Sequence, residues 1–208
     1  MNLIKRIVNG AYWRMCSLYH WIFPHKVLDI TDRAGKESGN IVEVEGALAG
    51  GKLRIVFIGK YNKVVIGPGC NLYRKNAIFI EGANNIVKIG GNTTFDENVM
   101  LVAGEGTEIK IGDDCQFAAN VTISTTDQHP IYDAEGRRVN PAKNINIGEH
   151  VWLGAHTVVM KGVAIGKGTV VGYGSIVTKS LPEDCVAVGS PARVVKENIE
   201  WCRTFKKA

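Results

Sequence analysis

Cysteine is sparse in this chain of 208 residues: Cys16, Cys70, Cys115, Cys185 and Cys202 stand far apart, and no two form a C-x-x-C pair or a zinc-type cluster. A disulfide framework is thereby disfavoured, and reduced thiols in a cytoplasmic protein are expected. No stretch reaches the roughly 18 uncharged apolar residues that a spanning helix needs. Six prolines stand against 24 glycines, and long polar runs are few, which argues for tight turns over disorder. Charge of neither sign dominates: the formal net charge is +5, and the lysines and arginines are scattered except near the two ends. That distribution gives no basic stripe for nucleic acid, and a small anionic ligand suffices to explain the excess.

The opening, MNLIKRIVNGAYWRMCSLYHWIF, has no acid before Asp29 and no small-residue cleavage site after a long apolar run, so it makes a poor signal peptide. It joins Tyr12, Trp13, Tyr19, Trp21 and Phe23 to Lys5, Arg6 and Arg14. Two readings stand: a helix lying on a membrane surface, or a segment packed over the end or side of the main body, which is preferred. Residues 1–40 are accordingly expected to be a basic aromatic segment of helical character. A cytoplasmic location is expected, at the inner face of the membrane if the first reading holds.

What is present is a period of six. Ile147, Leu153, Val159, Ile165, Val171 and Val177 form an aliphatic column, and the following positions read Gly148, Gly154, Met160, Gly166, Gly172 and Thr178. Four positions after the column stand Val151, Thr157, Val163, Thr169, Ser175 and Leu181, mostly small or branched. Such a unit suits a short strand ending in a tight corner, with the aliphatic side chain turned inward. One unit buries little; stacked coils share a core. Upstream the register continues through Ile111, Phe117 and Ile123, with Cys115 in the small-residue slot, as is Cys70 after Ile66. Both thiols therefore read as core fillers. VVIGPGC, VKIGGNT and IKIGDDC recur every 22 or 23 residues, as coils with a longer corner loop. The main body is assigned to 41–190. Its pattern breaks over 125–146, an insertion expected to project from one corner and carry binding residues. Helix formers replace glycine after SPARVV, which predicts a capping helix over 191–208.

The hexapeptide run, the TDQHPIY loop, the string IGEHVWLGAHTVVMKGVAIGKGTVVGYGSIVTKS and the closing SPARVVKENI resemble the left-handed β-helix hexapeptide acyltransferases. Within that family they look most like O-acetyltransferases of bacterial capsular polysaccharides, including those acting on sialic acid polymers. The resemblance is dense over 85–201 and weak before residue 60. It implies an all-β, left-handed parallel β-helix, a homotrimer with active sites between subunits, and acetyl-CoA lying along the coils.

Acetyl transfer to an alcohol needs a base, a donor for the oxyanion and a channel for the thioester. Imidazole is suited to the first role near neutral pH, and His129 matches the family's catalytic histidine. Asp127 is a candidate to orient its ring or meet the acceptor. Trp152 matches the family's active-site tryptophan; its N–H is a candidate oxyanion donor, and its indole a wall of the acceptor site. Gly154, Ala155, Gly172 and Tyr173 are expected to line pantetheine, with Lys161, Lys179 and Arg193 meeting the CoA phosphates. Tyr132, Arg137, Arg138 and Lys143 are expected to recognise the acceptor or to brace the loop. His150 and His156 share one corner slot of consecutive units, so their rings should diverge; no metal site is expected.

No cysteine or serine is placed with a base as a nucleophile needs. Direct transfer of acetyl from acetyl-CoA to a hydroxyl of a surface or capsular polysaccharide, or of its precursor, is therefore expected. The rivals are an enzyme of the same fold acting on an antibiotic alcohol or an amino-sugar nitrogen, and a non-catalytic β-helix scaffold.

Overall fold

The computed structural model describes the backbone of residues 4–8 and, in full, residues 28–205. Three sheets of seven, eight and seven strands form the sides of a triangular prism, parallel throughout except for Ile4–Val8 on the first and Ala192–Lys196 on the second, with each successive coil adding one strand to each sheet. One coil runs through Glu108–Ile111 on the first face, Gln116–Phe117 on the second and Thr122–Ser124 on the third; the next runs through Ile145–Ile147, Trp152–Leu153 and Val158–Val159. In-register pairing stacks like on like. Ile66, Ile89, Ile111, Ile147 and Ile165 line up inside the first face. Leu72, Phe95, Phe117, Leu153 and Val171 do so inside the second, and Ile55, Ile78, Leu101, Ile123, Val159 and Val177 inside the third. All are buried, so the apolar columns form one continuous core.

The corner slots explain the period's other residues. Asn92, Asp114, His150 and Asp184 occupy one corner with positive φ, and Asn98, Asn120 and His156 occupy the next, the left-handed conformation that sharp turns demand. Gly154 meets a different constraint: a Cβ there would stand 2.8 Å from Tyr173 N and Val171 O. The thiols of Cys70 and Cys115 are fully buried, and burial pushes their pKa values up to about 11 and about 12, as expected of inert fillers.

In the 22- and 23-residue coils, the added length extends the third-face strands, Leu53–Ile58 and Asn76–Glu81, and their corner. Those corners hold a buried ladder. The Oδ1 atom of Asn40 accepts both N–H groups of Asn62, that of Asn62 accepts both of Asn85, and that of Asn85 accepts Thr107 N, at 2.9–3.1 Å. The ladder closes on Thr125, whose hydroxyl meets that of Thr107 at 2.6 Å, at the point where the insertion leaves the prism.

Neither expected terminal helix is present among the described residues. The helical character expected of 1–40 is absent from its described parts: Ile4–Val8 is a strand antiparallel to Ile41–Glu45, and Leu28–Asp32 starts the third sheet, while 9–27 lies outside the described residues. At the other end the expected helix is replaced. Ala192–Lys196 folds back antiparallel on Val186–Gly189 after a cis Ser190–Pro191 bond, and residues 197–205 continue without helix. Tertiary contacts described below override the helical propensity of this segment.

Candidate active site

The insertion is a small hairpin at the corner between the third and first faces. Val139 N donates to Ile131 O and Asp133 N to Arg137 O, while the Asp133 carboxylate takes the N–H groups of Glu135 and Arg137 to close the tip. Lys143 N to Thr125 O seals the base at 2.9 Å. The preceding coil pins it through Glu105, which accepts a bidentate pair from Arg138 at 2.6 and 2.9 Å and the Thr126 hydroxyl at 2.7 Å. Hydrogen bonds from Arg138 and Thr126 lower the Glu105 pKa to about 2. The following coil pins it through Lys161, whose amine binds the Asp127 carboxylate and, at 2.9 Å, Asn140 O.

Asn140, buried and not singled out by the sequence, is the centre of this arrangement. Its amide nitrogen donates to Asp127 Oδ2 at 2.8 Å and to His129 O at 2.9 Å, and its Oδ1 accepts Ile131 N at 2.6 Å. His129 is thus held by its backbone, with its N–H on Asp127 O, while its exposed imidazole has no hydrogen-bond partner among the described residues. The Asp127 carboxylate is committed to Lys161 and Asn140, which hold its pKa below the usual range, and does not orient the ring. Arg137 pairs with Asp133 and Glu135, so both loop guanidiniums brace the hairpin. Tyr132 and Gln128 line a groove of about 330 Å³ running past Glu81, Gly82 and Glu105. Lys143 is exposed, and Lys179 is exposed near the same corner.

The other candidates lie elsewhere. Trp152 stands on the outer side of the second face, opposite the hairpin corner, and is 39% exposed. Its N–H donates to Thr169 O at 2.9 Å, so it is not an oxyanion donor. Ala155 and Tyr173 sit at the corner between the second and third faces, beside Gly154 and Gly172, whose absent side chains are required by coil stacking. Arg193 is exposed on the closing strand. The rings of His150 and His156 do diverge: one meets Asp114 and Trp201, the other Asn120 and Tyr173. Among the described residues no three His, Cys, Asp or Glu side chains converge as metal ligands.

Stacked hexapeptide coils with a hairpin presenting a histidine define a transferase class. Residues 144–179 match the bacterial transferase hexapeptide (six repeats) family model. The crystal structure of the polySia-specific acetyltransferase NeuO is similar over 87% of this chain and 91% of that one, at 33% identity and a TM-score of 0.70. A galactoside acetyltransferase in complex with coenzyme A is similar over 64% of each chain, at 34% identity and a TM-score of 0.50. A polysialic acid O-acetyltransferase of Escherichia coli O1:K1 / APEC is 47% identical over 85 residues, 40% of this chain and 28% of that relative's length. The chain belongs to the left-handed β-helix hexapeptide-repeat acyltransferases.

Proposed function

We propose that the protein transfers acetyl from acetyl-CoA to a hydroxyl of a carbohydrate, in a surface or capsular polysaccharide or its precursor. The observation that carries this reading is the similarity to a polysialic-acid-specific acetyltransferase over 87% of the chain. The presentation of His129 agrees with it: a rigid backbone, locked by Asn140, carries an imidazole whose nitrogens are left for a substrate.

In the proposed reaction the imidazole takes the proton of the acceptor hydroxyl as its oxygen attacks the thioester carbonyl. The tetrahedral oxyanion needs a donor. At the corner beside Trp152, the N–H of Gly154 goes to Val171 O and that of His156 to Ala119 O, which leaves the N–H of Ala155 for this role. Collapse breaks the C–S bond, and the imidazolium returns its proton to the departing sulfur, giving an acetyl ester and free CoA.

His129 and Trp152 lie on opposite sides of one prism, so a site that uses both is built from two copies. A homotrimer supplies that geometry three times over if the hairpin corner of each copy faces the second-to-third corner of the next. Lys161 of one copy and Tyr173 of its neighbour would then flank the same cleft.

The test is acetyl-CoA turnover with sialylated, neutral and amino sugars, product esters being read by mass spectrometry. The reading expects a base-labile O-acetyl ester on a sugar hydroxyl that disappears in His129→Ala. Amide product alone, or equal turnover by His129→Ala, contradicts it.

A further inference from the structure

The segment that replaces the expected terminal helix runs down the corner between the first and second faces and touches the indole assigned to the acceptor site. Ile199 N donates to Asp184 O at 2.9 Å. Two residues on, Trp201 stacks on His150, with ring centroids 4.0 Å apart and planes within 11°. The pair is locked in both directions: Trp201 Nε1 donates to His150 O at 2.8 Å, and His150 Nε2 donates to Trp201 O at 3.0 Å, since a carbonyl only accepts. Nδ1 of the same ring meets Asp114 Oδ2 at 2.6 Å.

Two residues further, Arg203 closes the strap. Its guanidinium reaches Asp114 Oδ1 at 2.9 Å, the carbonyls of Cys115, Asn92 and Asp114 at 3.0–3.2 Å, and the side-chain oxygens of Thr94 and Gln116 at 3.3 Å. Thr94, Gln116 and Trp152 are consecutive members of one outward row of the second face. Arg203 holds the first two. Trp201, with only 9% of its surface exposed, meets the third at 5.7 Å between ring centroids and a 45° tilt. A solvated tail would not place a tryptophan between a corner histidine and a face tryptophan; the interlock fixes where the Trp152 indole stands.

We propose that Ile199–Arg203 is a positioning strap, in which Trp201, pinned by His150 and Arg203, sets the orientation of the Trp152 indole and thereby the fit of the carbohydrate acceptor. The proposal rests on the reading of Trp152 as a wall of the acceptor site. Trp201 acts through Trp152 and is a positioning residue. Its loss changes acceptor binding more than the chemical step, because His129 and the thioester site lie outside the strap.

The full-length protein carrying Trp201→Phe, Trp201→Ala, Arg203→Ala or Arg203→Lys is compared with wild type by steady-state kinetics and far-UV circular dichroism. Two tilted indoles this close produce an exciton couplet. It is expected in wild type, abolished equally by Trp152→Phe and Trp201→Phe, weakened by Arg203→Ala and partly restored in Arg203→Lys. Trp201→Ala and Arg203→Ala are expected to raise the acceptor KM about three- to tenfold, the range of one aromatic contact, with kcat and the acetyl-CoA KM within about twofold. Trp201→Phe keeps the His150 stack, so it separates the proposal from a folding defect. A couplet that survives Trp201→Phe, or an unchanged acceptor KM in an enzyme that His129→Ala inactivates, overturns the strap and leaves the functional reading intact. A wild type that acetylates no carbohydrate overturns both.

Discussion

His129 is held by its main chain, and the residue that holds it is Asn140. An amide that donates to Asp127 and His129 O while accepting Ile131 N–H cannot be replaced by an apolar side chain without losing three partly buried hydrogen bonds, at about 0.5–1.5 kcal/mol each. Asn140→Leu is expected to lower turnover at least tenfold and to shift the thermal midpoint only modestly, because the prism core lies elsewhere. Unaltered turnover in a folded variant contradicts this role. His129→Ala removes the proposed base and is expected to cost about 10²- to 10⁴-fold in kcat, with CoA binding retained by calorimetry. The exposed placement of His129 on a hairpin that interrupts the repeats was legible in the sequence, because the period of six breaks there. Asn140 was not: an Asn-Pro pair in a polar insertion is an ordinary turn signal, and only the folded hairpin brings its amide under His129. The same holds for Asp127, whose carboxylate reads as a partner of the imidazole until Lys161 claims it.

At the scale of elements, the hairpin is fastened to the coil below by Glu105 with Arg138 and to the coil above by Lys161 with Asp127. The Glu105 pKa is lowered in the folded chain to about 2 from 4.5. Its contribution is therefore complete above about pH 4.5 and is lost as pH falls toward 2. Limited proteolysis within 131–139 should accelerate across that window, and earlier in Arg138→Ala than in wild type. The pair is about one-third exposed, so a Glu105→Gln, Arg138→Ala double-mutant cycle is expected to give a small favourable coupling that salt weakens. Equal cleavage rates in wild type and Arg138→Ala at neutral pH contradict the fastening. The strands were legible, because a period of six repeats the same inward residue and the same corner in every coil. The closing segment was not. KENIEWCRTF carries helix formers, but its structure is dictated by His150 beneath Trp201 and by the acceptors around Arg203, none of which lies near it in sequence.

For the molecule as a whole, the prism separates what the proposed reaction combines. The hairpin with His129 projects from one corner, and Trp152 with its strap occupies the face opposite. The proposed trimer joins them between copies, so two singly inactive chains should complement each other. His129→Ala and Trp152→Ala chains, co-expressed and purified as one assembly, are the most direct measurement. On random mixing, about a quarter of the interfaces pair an intact His129 with an intact Trp152 of the neighbour. The account predicts acetyl transfer returning to about that fraction of wild type, while each parent alone stays near background. Mixed assemblies as inactive as their parents would contradict it.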